Sequence, residues 1–270
     1  MEKRSFKLFG KSCIAIADET ELSISVLSEP FITLAKSMEK STIYQERYDF
    51  DRISLYMNSK DKESEIDLVS NEFINAVNFS DTVKELKFVS RNTMCELYIN
   101  PTDIEVNNTI ESVVFKNAPV SSDFIIGLVN TCLELKKISF DMKDTSIDLL
   151  DCIDTLFIVS DITDFSFIGS VDYSHVLNKL CENKDKVKRL EISVYNKNDL
   201  DALGKLTNLE YLKLSSYEIE SLPDCLSKFT KLKTLDISET QISMDTYKLA
   251  ILIYEKYGIN DVILPKMDIK

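Results

Sequence analysis

The sequence predicts an α/β chain in which short strands recur along the length and pair side by side in one curved parallel sheet. Helices and irregular returns are expected on the opposite, convex side. Two observations predict this solenoid. Residues 209–222 read Leu209-x-x-Leu212-x-Leu214-x-x-x-x-Ile219-x-x-Leu222 with Pro223 next, and Leu232-x-x-Leu235-x-Ile237-x-x-Thr240-x-Ile242 repeats the first half 23 residues later. The same apolar spacing recurs at Phe50/Ile53/Leu55, Val83/Leu86/Phe88, Ile110/Val113/Phe115, Leu135/Ile138/Phe140, Ile162/Phe165/Phe167, Val187/Leu190/Ile192 and Ile259/Val262/Leu264. Successive starts lie 33, 27, 25, 27, 25, 22, 23 and 27 residues apart. Such regularity marks units that bury their apolar strands only by stacking on neighbours.

The elements follow in order. Residues 1–49 do not fit the repeat and are expected to cap it, with strands near 12–16 and 21–26 and a helix opening at Pro30 and running to Met38. Repeats are expected over 50–242. Helical returns are predicted for Phe124–Leu135, Ser146–Ile153 and Val171–Cys181, where Val176, Leu177 and Leu180 share a face. The return through Ile219, Leu222 and Pro223 is too short for a long helix. Residues 243–270 form the C-terminal cap: a helix over Ser243–Tyr257 with Asp245 near its start and Gly258 as its stop, then a last strand at 259–264. Only five Gly and five Pro occur, with no low-complexity linker, so one elongated unit is expected.

These motifs resemble the leucine-rich repeat family, most specifically over residues 187–242 and in degenerate form over 50–264. The resemblance implies a binding surface on the concave side of the sheet and no catalysis. It implies roles such as adaptor, inhibitor, immunity factor or microbial effector. One departure stands out. The family places Asn at position 9 of each unit as a hydrogen-bonded ladder, whereas this chain has Asn58, Arg91, Ala118, Lys143, Ser170, Tyr195, Tyr217 and Thr240 there. Thr240 and Ser170 are the expected partial substitutes. Asn92, Asn117 and Asn196 fall one residue off that position, and Met94/Leu97/Ile99 matches the apolar spacing outside the regular series.

Composition narrows the function. Lys plus Arg total 32 against 45 Asp plus Glu, a formal charge of −13, which repels nucleic acid and anionic membranes and favours a basic protein partner. The six cysteines include no CxxC pair and are dispersed along the chain, the pattern of free, core-filling thiols. Lys7 and Lys11 interrupt any secretory apolar segment near the N-terminus, and no apolar run is long enough to span a bilayer. A cytoplasmic protein, or one delivered without an N-terminal signal, is expected.

The sequence offers little to an enzyme. Its one histidine, His175, has no second His to complete a common zinc set, and no phosphate loop or GxSxG is present. The Asp141–Asp144 cluster lacks the Gly and terminal Glu of a calcium loop. No catalytic residue, metal or cofactor is expected. Alternation instead aims positions 3, 5 and 7 of each strand outward. The candidate partner-binding residues are Lys137, Asp164, Arg189, Glu191, Tyr211, Lys213, Thr234 and Asp236, with Arg189, Tyr211 and Lys213 as anchors and Glu191 and Asp236 as charge partners. A monomer engaging another protein is the expectation. The alternatives are the substrate-recognition subunit of a ubiquitin-ligase-like complex, for which only residues 1–49 leave room, and a self-assembling subunit.

Overall fold

A computed structural model describes the backbone of residues 2–8, 11–17, 21–26, 31–35 and 52–57, then residues 74, 77–78, 83–90, 103–118, 120–143, 149–195, 197–216, 219–242 and 245–265. The chain divides into two compact units, Met1–Lys136 and Lys137–Lys270, a split that falls inside the stretch expected to be continuous repeats.

In the first unit, β1 (Glu2–Leu8), β2 (Lys11–Ala17), β3 (Glu21–Val26) and β4 (Phe31–Ala35) form an antiparallel meander. The helix expected from Pro30 to Met38 is therefore corrected to a strand across 31–35. Phe31, Ile32 and Thr33 are strand formers, and β4 is hydrogen-bonded on both sides, so pairing outweighs the proline signal. β5 (Arg52–Met57) is the turning point: antiparallel to β4, it is parallel to β6 (Glu85–Ser90), which in turn is parallel to β7 (Ser112–Lys116). Helix α1 (Ser122–Thr131) follows, its first turn capped by Ser121, whose Oγ accepts from the Phe124 amide.

The second unit is a parallel ladder in chain order: β8 (Lys137–Met142), β9 (Asp164–Gly169), β10 (Arg189–Ser193), β11 (Tyr211–Ser216), β12 (Thr234–Thr240) and β13 (Asp261–Ile263). Between them run α2 (Leu149–Val159), α3 (Ser174–Glu182), α4 (Lys197–Leu203), a 3-10 turn (Asp224–Lys228) and α5 (Thr246–Tyr257). Asp245 caps α5 by accepting from the Lys248 amide, and Gly258 ends it in the left-handed region at φ 70°. Helix α4 had no counterpart among the expected elements. Its seven residues carry too little apolar pattern to announce themselves.

Every strand from β5 to β13 begins two residues after the first apolar position of its motif. The register is equally regular, pairing Arg52, Glu85 and Ser112 in one unit and Lys137, Asp164, Arg189, Tyr211, Thr234 and Asp261 in the other. Among described side chains, positions 1, 4 and 6 from Val83 to Ile237 are all buried. Backbone bonds tie the strand entries together: Lys188 N donates to Thr163 O, Glu210 N to Lys188 O and Lys233 N to Glu210 O, at 2.8–3.0 Å. Burying one Leu or Phe contributes about 1.5–3 kcal/mol, so three per unit give each strand its main hold on its neighbours.

Aromatic rings fill the inner face. Phe88 stacks on Phe115 at 5.3 Å with Phe124 of α1 edge-on, and Phe140 stacks on Phe167 at 5.7 Å. Phe165 and Tyr173 both lie against Phe167. At the other end of these strands Gly169 has φ +110°, and a Cβ there would sit 2.1 Å from the Met142 carbonyl oxygen. Only glycine permits that approach.

Phe167→Ala should therefore destabilise by about 3–5 kcal/mol in urea denaturation, against less than about 1.5 for Phe167→Leu. Gly169→Ala should cost at least about 1–3 kcal/mol in the same assay, because the backbone at Met142 must move to admit the Cβ.

Candidate functional site

The outward face of the second unit is built by the strand register. Helices and returns cover the apolar side, leaving positions 3, 5 and 7 of β8–β12 on the other. Asp164, Arg189 and Tyr211 are register partners on three adjacent strands. Arg189 Nε lies 3.3 Å from Asp164 Oδ2, and its guanidinium sits over the Tyr211 ring, 4.2 Å from the centroid. Burial, followed by the negative charges of Glu191 and Asp236, raises the pKa of the Tyr211 phenol. It stays a neutral donor at physiological pH.

Glu191 joins two strands. Its Oε2 accepts from Ser166 Oγ at 3.0 Å on β9, and its Oε1 lies 3.5 Å from Lys137 Nζ on β8. Beside it, Lys213 pairs with Glu239 at 2.7 Å, and Ser215 also donates to Glu239. Burial pushes the Lys213 ammonium down, but the hydrogen bond and charge of Glu239, with Asp236 and Glu191, raise its pKa overall. Hydrogen bonds from Lys213 and Ser215 hold the Glu239 carboxyl below its ordinary range.

The structure thus brings Lys137, Asp164, Arg189, Glu191, Tyr211 and Lys213 onto neighbouring positions of one face, in three contact groups: Asp164–Arg189–Tyr211, Lys137–Glu191–Ser166 and Lys213–Glu239–Ser215. Thr234 continues the same register column beside Tyr211, and its hydroxyl donates to Asp261 Oδ2 on β13 at 2.9 Å. Asp236 acts as a charge partner of Tyr211 and Lys213 but is buried rather than outward, and its Oδ1 accepts from both the amide and the hydroxyl of Ser238. Ser139 and Ser166, also expected outward, are buried. Short side chains on a crowded face are roofed by longer neighbours, as Glu191 roofs Ser166.

Glu239 was absent from the candidates, and the reason is local. The register of β12 slips between its pairs with Lys213 and Ser215, so that Ser215 faces Glu239 rather than Ser238. The Asp236–Ser238 bond, of the kind short polar side chains make two residues ahead, pinches the strand at that slip. Asp-x-Ser within a strand was the available signal.

Two tyrosine hydroxyls hold backbone carbonyls at the end of β9. The Tyr173 hydroxyl, buried beneath β9, donates to Ile168 O at 2.6 Å, and the Tyr195 hydroxyl donates to Gly169 O on the neighbouring strand. The Thr240 hydroxyl donates to Ile237 O within β12, while Ser170 is exposed. Ala118 is buried, and Asn117 takes a positive φ of 51°. Asn58, Arg91, Asn92, Met94, Leu97, Ile99, Asn196 and Tyr217 lie outside the described residues.

Elsewhere, His175 is exposed, and its neighbour Asp172 accepts from the amide and hydroxyl of Ser174, which lower its pKa. Cys132, Cys152, Cys181 and Cys225 form no disulfide. Burial pushes Cys132 and Cys225 up to about 11, far from a reactive thiolate. Among the described residues no group of three or more His, Cys, Asp or Glu is placed to hold a metal ion, and no helix is long and apolar enough to cross a membrane.

The fold and this face define an α/β protein with a parallel ladder and an extended polar surface. No protein-family model matches the chain, and no curated protein is significantly similar to it.

Exposed ion pairs contribute about 0–1 kcal/mol each. The three contact groups order their side chains in advance, yet any pair can be exchanged for a partner's charge at little cost. The Lys213–Glu239 pair has a defined pH window. Glu239 is depressed, so its stabilisation is present above the ordinary carboxyl value of 4.5 and lost as pH falls through its folded pKa. Lys213 is raised, so its stabilisation is complete below 10.5 and lost as pH rises through its own folded pKa. Glu239→Gln should cost roughly 0.5 kcal/mol at neutral pH, because solvent screens the pair, and less at a second, acid pH below the folded pKa of Glu239. Urea titrations at the two pH values measure the difference.

Proposed function

We propose that this chain is a leucine-rich repeat protein that binds another protein, without catalysis, through the outward and concave face of its second unit. One observation carries the reading: the in-register columns of β8–β11, which set Arg189, Tyr211, Lys213 and Glu191 side by side on a face that helices leave open. A cation stacked on a half-buried ring is the type of anchor that concentrates binding energy. The partner's charge acts through exchange with the internal ion pairs, and the net charge of −13 favours a basic protein at long range. An adaptor, inhibitor, immunity factor or effector would each use such a face in the same way.

The test is affinity capture from native lysate with mass spectrometry, using wild type beside Arg189→Glu/Tyr211→Ala/Lys213→Glu, both checked for equal melting temperature. A protein held by wild type and lost from the variant is expected, with a drop of at least ~30-fold in affinity, equivalent to about 2 kcal/mol, once the purified partner is titrated. A partner held equally by both overturns this placement of the site.

A further inference from the structure

A second surface of the same unit carries the opposite charge from the chain as a whole. The segments entering β10, β11 and β12 are Asn183–Lys188, Gly204–Glu210 and Lys228–Lys233. They contain seven lysines (184, 186, 188, 205, 228, 231 and 233) and two carboxylates (185 and 210), a surplus of five positive charges in a protein of net −13. The ladder holds them side by side, since Glu210 N donates to Lys188 O and Lys233 N to Glu210 O.

Few of these charges are cancelled. Lys233 pairs with Glu210, Lys231 donates to Asn208, and Asn208 in turn donates to Asp185. Lys186 is committed to the carbonyls of Phe157 and Ser160, just past the end of α2. Lys184, Lys188, Lys205 and Lys228 are exposed and make no ion pair among the described residues.

We propose that this lysine edge is a second interaction surface, which takes a carboxylate-rich segment of a protein partner. It does not depend on the reading of the outward face. At a Debye length of about 8 Å in physiological salt, a ligand at the edge feels these lysines together with the bordering carboxylates of Glu182, Asp201 and Asp224, and little of the rest of the chain's negative charge. Three strands span ~10 Å, the width of a short extended segment and not of a membrane or duplex footprint. The edge has no arginine, and its one aromatic, Phe229, is buried, so it lacks the forks and stacking platforms with which proteins hold nucleic acid. Point-charge ammoniums suit flexible Asp and Glu side chains.

The probe is a fluorescein-labelled Glu/Ser peptide of roughly a dozen residues, long enough at ~3.3 Å per residue to cross the three segments. Anisotropy titration of the full chain should show saturable binding, weakened at least tenfold by Lys184→Glu/Lys188→Glu/Lys205→Glu/Lys228→Glu and at least several-fold by the milder quadruple change to Gln. Circular dichroism confirms that both variants are folded. The single variant Tyr211→Ala, which alters the outward face without changing any charge, should bind the peptide as wild type does, whatever becomes of the outward face. Binding unchanged in both lysine variants, or equal binding of a neutral Gln/Ser peptide, overturns the proposal. Tighter binding of phosphatidylserine vesicles or of a single-stranded oligonucleotide matched in charge also overturns it, in favour of a phosphate surface.

Discussion

A strand with three apolar residues and no partner cannot exist in water. Each unit of the parallel ladder solves this by laying its strand against the previous one and lending an edge to the next. Because position 2 of each strand donates its amide to the carbonyl at position 2 of the strand before, the register is fixed at the entry. From there the alternation of side chains assigns every residue to the core or to the open face. A slip of one residue would exchange Leu212 and Leu214 with Tyr211 and Lys213. The polar columns are thus a by-product of burying Leu, Ile and Phe, and their order across strands is only as good as that burial.

The same constraint explains what could be read in the sequence. The starts of the strands from 52 onward follow from their motifs, because the three-position apolar test reports the feature that fixes register. The α5 helix was equally legible, its cap at Asp245 and stop at Gly258 being written in single residues. The failures have a different physics. Residues 31–35 carry a helix-start signal at Pro30 but are recruited into a sheet by neighbours far away in sequence. Position 5 of a strand points outward only in the average; Ser166 and Asp236 are buried because of what longer side chains beside them do. Glu239 reached the face through a slip that one short-range bond creates. Such effects depend on pairs of residues, and a one-position template does not hold them.

Two kinds of electrostatics coexist in the second unit. On the open face, charges alternate between neighbouring strands and largely satisfy one another, as in Asp164–Arg189 and Lys213–Glu239. At the strand entries, lysines accumulate with few carboxylates to answer them. Net charge alone, at −13, conceals both arrangements. It describes the approach of a distant partner and says little about the contact it makes.

Tyr173 carries one more consequence. Its ring lies against Phe167, its hydroxyl donates to Ile168 O, and burial raises its pKa well above that of a free phenol. The chain has no tryptophan, so tyrosine dominates its near-ultraviolet absorbance. As alkali rises past the range where an unfolded tyrosine ionises, the native state must keep this phenol neutral while the unfolded state releases its proton. Base therefore lowers the stability of the fold through this buried phenol, whose tyrosinate absorbance appears later than that of an exposed tyrosine.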